Sequence, residues 1–178
     1  MTDFDKKEHV NSPEGYRNLA GQIIIGLNSM HDAISTALNM ELPSQSEILV
    51  IGGGGGKEIS SLHKFSNEWN FTVIDPSEKM IQLAKYWSER EGIQSRTKIL
   101  KGYLQDYNFL NSTFDAITCI AVLHYLDNSE RLNILQQVKK LLKPNGLFVW
   151  TVGVKPETEE ELDYLKKTIQ TISGTKWN

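Results

Sequence analysis

Five consecutive glycines, Gly52 to Gly56, and an aspartate, Asp75, are the residues of this chain whose types and spacing best suit chemistry. Glycine has no Cβ, so the chain can turn sharply and a ligand can touch the main chain itself. Amides at the start of a following helix then point at that ligand. An acid roughly 20 residues further on, at the tip of the next strand, is placed to hold both hydroxyls of an adenosine ribose. A glycine-rich surface turn without a ligand needs neither the strand before it nor the acid after it, and here both are in register.

The elements that must position these groups can be read on either side. Ile48, Leu49, Val50 and Ile51 form an uncharged, β-branched-rich run, the pattern of a parallel strand buried on both faces. Lys57, Glu58, Ile59, Leu62 and Phe65 follow at helical spacing, and Phe71, Thr72, Val73 and Ile74 form a second strand ending at Asp75. Strand, glycine turn, helix, strand and acid make the mononucleotide half of a doubly wound α/β sheet. The dinucleotide fingerprint needs a third glycine three residues after the second. Lys57 and Glu58 occupy the two positions where it could fall, which argues against a nicotinamide-dependent oxidoreductase.

The glycines satisfy instead a G-x-G-x-G spacing at Gly52, Gly54 and Gly56. With it, the chain resembles the class I S-adenosylmethionine (SAM)-dependent methyltransferases. The stretch from Val73 to Met80 is similar to that family's second-strand motif. Phe114 to Ile117, followed by Leu123 to Leu126, resembles its fourth strand and turn, and Leu141 to Gly146 resembles its lead-in to strand five. The resemblance implies a mostly parallel Rossmann-like sheet with helices on both faces. It implies SAM as cofactor and Gly52, Gly53, Gly54, Asp75, Pro76, Met80, Tyr103, Leu104 and Ile120 as cofactor-binding residues. With no basic patch and no nucleic-acid module, a small-molecule acceptor is the expectation, with RNA and protein acceptors left open. The glycines and Ile120 would border the methionine portion, Asp75 the ribose, and Tyr103 and Leu104 the adenine. Met80 would pack on adenine or fill core.

Two positions depart from the family pattern. Val50 stands where an acid usually helps hold the methionine amine, and Tyr103 where an aspartate usually binds adenine. They motivate the alternative of a SAM-binding protein without catalysis. His124 and Tyr125 are the candidates for a base, with His124 read first as a capping or packing residue, and no residue is assigned as catalytic.

Residues 1–46 read as an N-terminal helical cap segment and residues 47–178 as the cofactor-binding core. Within the first, Met1 to Ser12 is expected to be poorly ordered, and helices are expected at Pro13 to Leu19 and Ser29 to Met40. Ile24 to His31 resembles an isoleucine-proline-glycine-tyrosine segment of one family branch, with Leu27 in the tyrosine's place; His31 is expected at the surface or in a cap. In the core, a helix after Asp75 is stopped by Gly92, and strands span Thr97 to Leu100 and Phe114 to Ile120. A helix follows from Ser129 to Leu142, with Leu132, Leu135, Val138 and Leu141 on one face. Pro144, Asn145 and Gly146 then turn into strand five, Leu147 to Val152. Thr158 and Glu161 have capping-box spacing. The family order 3-2-1-4-5-7-6 continues beyond this point, so the expectation is a chain truncated after strand five and its following helix, with strand five an edge that could pair a homodimer.

A net charge of −3 over 178 residues gives no electrostatic footprint for nucleic acid or an anionic membrane. No apolar stretch suits a bilayer span and no signal peptide is evident, so a cytoplasmic location is expected. The single cysteine, Cys119, lies in an apolar run and reads as packing; one cysteine makes no zinc set.

Overall fold

The computed structural model describes residues 12–24, 26–153 and 156–173. The expected poorly ordered terminus, apart from Ser12, and Ile25 lie outside the described residues. The elements run α1 (Pro13–Ile23), α2 (Leu27–Glu41), β1 (Glu47–Ile51), α3 (Lys57–Leu62), β2 (Asn70–Asp75), α4 (Glu78–Arg90), β3 (Thr97–Lys101), β4 (Phe114–Ile120), α5 (Asn128–Leu141), β5 (Leu142–Thr151) and α6 (Glu159–Ser173). The strands form one sheet in the order β3-β2-β1-β4-β5, every pairing parallel.

The uncharged run of β1 is explained by what covers it. Ile48 and Val50 face one side of the sheet with Val73 and Ala116, packed under Leu38 of α2, Ile59 and Leu62 of α3, and Ala84 of α4. Leu49 and Ile51 face the other side with Ile74, Ile117 and Cys119, under Val138 and Leu141 of α5. Successive strand residues point to opposite faces, so a strand covered on both must be apolar throughout. Each such side chain contributes about 1.5–3 kcal/mol by leaving water. Cys119 belongs to this packing: burial, then the nearby Glu58 carboxyl, pushes its thiol up to about 12.

Local signals explain the ends of α4. The Ser77 hydroxyl accepts from the Met80 N–H at 3.3 Å, and Gly92, at φ 69°, closes the far end by donating to the Glu89 carbonyl. The capping box of α6 forms as read, with the Glu161 N–H donating to Thr158 Oγ1 at 3.1 Å. Ser12 proves to be the N-cap of α1, accepting from the Gly15 N–H, and that helix continues to Ile23 because nothing before it breaks the pattern.

Several expectations are corrected. α3 stops at Leu62, and Phe65 lies exposed in the turn beyond it. His31 is buried on the inner face of α2 with Leu27, Ser35 and Leu38, so it is neither a surface nor a capping residue. On α5, Leu132 and Leu135 are exposed, and Ile134, Val138 and Leu141 turn toward the core. The expected turn at Pro144 to Gly146 is a bulge inside β5: Phe114 pairs with Leu142, and the next partners are Ala116 and Leu147. Asn145 takes the left-handed conformation there, and Lys143 ion-pairs with Asp115 at 2.8 Å, holding the bulged segment against β4.

Ile117→Ala, at a position with 0 % exposure, is expected to cost about 2–5 kcal/mol in urea unfolding. Leu110→Ala, at 82 % exposure, is expected to stay within about 0.5 kcal/mol of wild type. Equal effects from the two would contradict this burial pattern.

Candidate functional site

The glycines leave β1 at its carboxyl end, where ligands bind in open parallel sheets. Gly52 has φ 73° and donates to the Ile74 carbonyl at 2.8 Å, tying the loop to β2 as it departs. At Gly54 the requirement is close approach: a Cβ there would stand 2.2 Å from Met80 Cβ and 2.6 Å from Asp75 Oδ2. No larger residue fits. Asp75 Oδ2 accepts from the Gly54 N–H at 3.2 Å, and Oδ1 accepts from the Ser77 N–H at 2.9 Å. The acid is buried, at the point where the glycine loop and the start of α4 meet.

The other residues named from sequence gather at the same end of the sheet. Pro76 is half-buried at the tip of β2, and Met80 is buried with its Cβ against Gly54. The Gly102 N–H donates to the Asp75 carbonyl at 3.0 Å, which sets Tyr103 beside the tip of β2. Tyr103 is 49 % exposed, so its ring face is open to a ligand; Leu104 points into the α5-side core, leaving only its backbone for recognition. Ile120 is buried at the end of β4, and Gly53 lies against Val50, whose side chain supplies no charge.

His124 is held by the loop after β5: its Nδ1 accepts from the Gly153 N–H at 3.2 Å. Burial, then Arg131, lowers its pKa and favours the neutral ring. With Nδ1 accepting, the proton sits on Nε2, which then donates rather than accepts. The geometry therefore supports a loop-holding histidine. Its ring also lies 4.1 Å from that of Tyr125.

Sequence reasoning missed four residues. Ala121 has φ 55° directly after β4, with its N–H donating to the Thr151 carbonyl. Non-glycine residues in this conformation cost about 1 kcal/mol or more and concentrate at functional sites. Tyr16 of α1 lies against the loop, 2.7 Å from a Cβ built on Gly55. Burial, then the charge of Asp75, pushes its phenol up to about 12, so it stays a neutral hydroxyl. Arg17, the next residue, donates to the Gly56 carbonyl at 3.1 Å and to Ser60. No local signal marks either as part of the site. Glu58, in the first turn of α3, is buried with Oε1 unpartnered. Burial raises its pKa to about 7, and the Thr118 hydroxyl beside it opposes that rise without a hydrogen bond of normal geometry.

Among the described residues no cluster of His, Cys, Asp and Glu could hold a metal ion, and no helix is long and apolar enough to cross a membrane. A shallow depression lined by Glu68, Asn70, Asp115 and Lys143 lies at the opposite end of the strands, away from the glycine loop.

Comparison with known proteins matches residues 48–146 to the methyltransferase domain family. The chain is 31% identical over 123 residues to a sterol 4-C-methyltransferase of Caenorhabditis elegans, covering 69% of this chain and 35% of that protein. It is 27% identical over 112 residues to a sterol 24-C-methyltransferase of Pneumocystis carinii, covering 63% of this chain and 29% of that one. The chain thus spans about a third of the length of these relatives. In fold it is similar to the PH0226 protein from Pyrococcus horikoshii, with TM-score 0.66 and 19% identity over 94% of this chain and 66% of that chain.

The buried Glu58 has a measurable consequence. Its pKa rises on folding from 4.5 to about 7, so the folded state holds the proton more tightly. The associated stability is present below pH 4.5 and is lost as pH rises through about 7. Glu58→Gln, which cannot ionise, should gain on wild type across that window, by on the order of a few kcal/mol, read from melting curves at successive pH values. A constant difference between the two proteins from pH 4.5 to 8 would exclude an ionising buried Glu58.

Proposed function

We propose that this chain, which belongs to the methyltransferase domain family, binds SAM at the carboxyl ends of β1, β2 and β4 and supports methyl transfer to a small-molecule acceptor. The observation that carries the reading is the contact between Gly54 and Asp75: glycine backbone packed directly against a buried acid at the tip of β2, where any Cβ would clash. When bound, the cofactor supplies a sulfonium methyl group. The chain's own residues bind, orient and cover. Gly52, Gly53 and Gly54 offer main chain to the methionine portion, with Ile120 bordering it. Asp75 takes the ribose hydroxyls, beside Pro76 and Met80, and Tyr103 with the Leu104 amide takes the adenine.

Residues 1–46 act as the cap of this site and residues 47–178 as its core; the contact of Tyr16 with Gly55 supports that division. His124 is occupied by Gly153, so the site works by alignment, which alone can supply several kcal/mol of rate enhancement, about 7–11 in favourable cases. The relatives named as sterol methyltransferases support a small, largely apolar acceptor. A second reading, SAM binding without turnover, is favoured by Val50: it is fully buried against Gly53 and offers the methionine amine no charge.

Among the described residues β5 pairs only with β4, and Trp150 on it is half exposed. An uncovered strand edge invites pairing. A homodimer through β5 should appear in sedimentation as a concentration-dependent mass, and a monomer at every concentration would remove that part of the reading.

Titration calorimetry with SAM and with S-adenosylhomocysteine tests the cofactor site. Micromolar binding is expected, weakened about tenfold or more in Asp75→Asn, which keeps the shape and removes the charge. No heat at millimolar ligand would sink the proposal. Binding without methylated product from any sterol or other small acceptor would favour the second reading.

A further inference from the structure

We propose that Arg17 is a positioning residue that latches α1 across the glycine loop and so governs how fast the cofactor product leaves, an inference that rests on the SAM reading for its second half. The observations concern how α1 is held. No described side chain of α1 is fully buried, whereas α2 sinks Leu27, His31, Ser35 and Leu38. An amphipathic helix is normally held by its buried face. α1 rests half-buried against α2, α4 and α6 and is tied by polar and stacking contacts, and an element without a fully buried face opens locally more readily than the core.

Arg17 is the centre of those contacts. Its guanidinium lies 3.3 Å from the centroid of the Trp87 ring, and its Nη1 meets Glu91 at 3.4 Å. Its Nη2 donates to the Gly56 carbonyl at 3.1 Å and to the Ser60 hydroxyl, which itself donates to the same carbonyl at 2.7 Å. A single side chain thus joins α1 to α4 and to the last glycine of the loop. The flat, forked guanidinium can stack and bond to three partners at once, and an ammonium cannot. A second clasp, Glu14 to Arg90 at 3.0 Å and to the Tyr86 hydroxyl at 2.7 Å, is exposed and correspondingly weaker.

What the latch positions is the adjacent residue. Tyr16 rests on Gly55, so its ring lies against the glycine loop. A ligand cradled by Gly52 to Gly54 and Asp75 would be covered by that ring. It could enter or leave only when α1 lifts, and Arg17 resists the lifting. The Gly56 carbonyl makes the hold depend on the loop's own conformation, which links cover and cradle.

Two measurements on Arg17→Ala and Arg17→Lys test this. Hydrogen exchange on the free protein should show α1 amides exchanging about tenfold or more faster in Arg17→Ala, with β1 amides unchanged, and Arg17→Lys should recover little of the protection. Stopped-flow displacement should show S-adenosylhomocysteine dissociating about tenfold faster in both variants, with no loss of association rate. A merely structural role would instead slow association or lower β1 protection. Unchanged α1 exchange overturns the latch outright. Faster exchange with unchanged dissociation overturns its link to the cofactor. A wild-type protein that binds no S-adenosylhomocysteine overturns the reading on which that link rests, while the exchange result still decides the latch.

Discussion

The structure depends on the contact between the Gly54 backbone and the Asp75 carboxylate. It brings the loop after β1, the tip of β2 and the first turn of α4 within van der Waals distance of one another. Only glycine permits it, since any Cβ would overlap both Met80 and the acid. Neighbouring backbone bonds extend the same junction. The Gly52 N–H reaches the Ile74 carbonyl and the Gly102 N–H reaches the Asp75 carbonyl, so the exits of β1, β2 and β3 are fixed relative to each other. A crevice at the carboxyl ends of the strands follows from that arrangement.

Beside this junction the chain buries ionisable groups in their neutral forms. Glu58 rises toward about 7 because its burial disfavours the carboxylate, and His31 falls to about 4 because burial disfavours the imidazolium. Val50, at the position of the usual acid, is apolar, while the carboxyl of Glu58 comes in from α3 toward Thr118, which pairs with Val50 in the sheet. Beside the Asp75 carboxylate, Glu58 is therefore neutral below about 7 and His31 is neutral above about 4. Ala121 adds local strain at the exit of β4, beside Val122, whose methyl groups pack against Gly52. Such strain persists only where surrounding structure enforces it.

The cover over the crevice follows a different physical logic from the core. β1, β2 and β4 are held by side chains removed from water on both faces, a non-directional force that tolerates little rearrangement once packed. α1 packs outside that core and adds directional contacts, above all those of Arg17.

What the sequence by itself determined was the set of elements whose signals lie within a short window. The apolar run of β1, the glycines, Asp75 at the end of β2, the Gly92 stop of α4, and the span of β4 were all legible, because strand alternation and helix stops are local. The family resemblance added the strand order, which the observed β3-β2-β1-β4-β5 follows. Tertiary structure alone decided the burial of His31, the bulge that makes Leu142 to Gly146 part of β5, and the left-handed Ala121. It alone brought Tyr16 and Arg17 to the glycine loop: Arg17 meets Glu91 across 74 positions of sequence and Gly56 across 39. No periodicity or cap encodes such contacts. They exist only once the sheet has brought the glycine loop and α4 together and α1 has packed beside them, a long-range arrangement that no local pattern specifies.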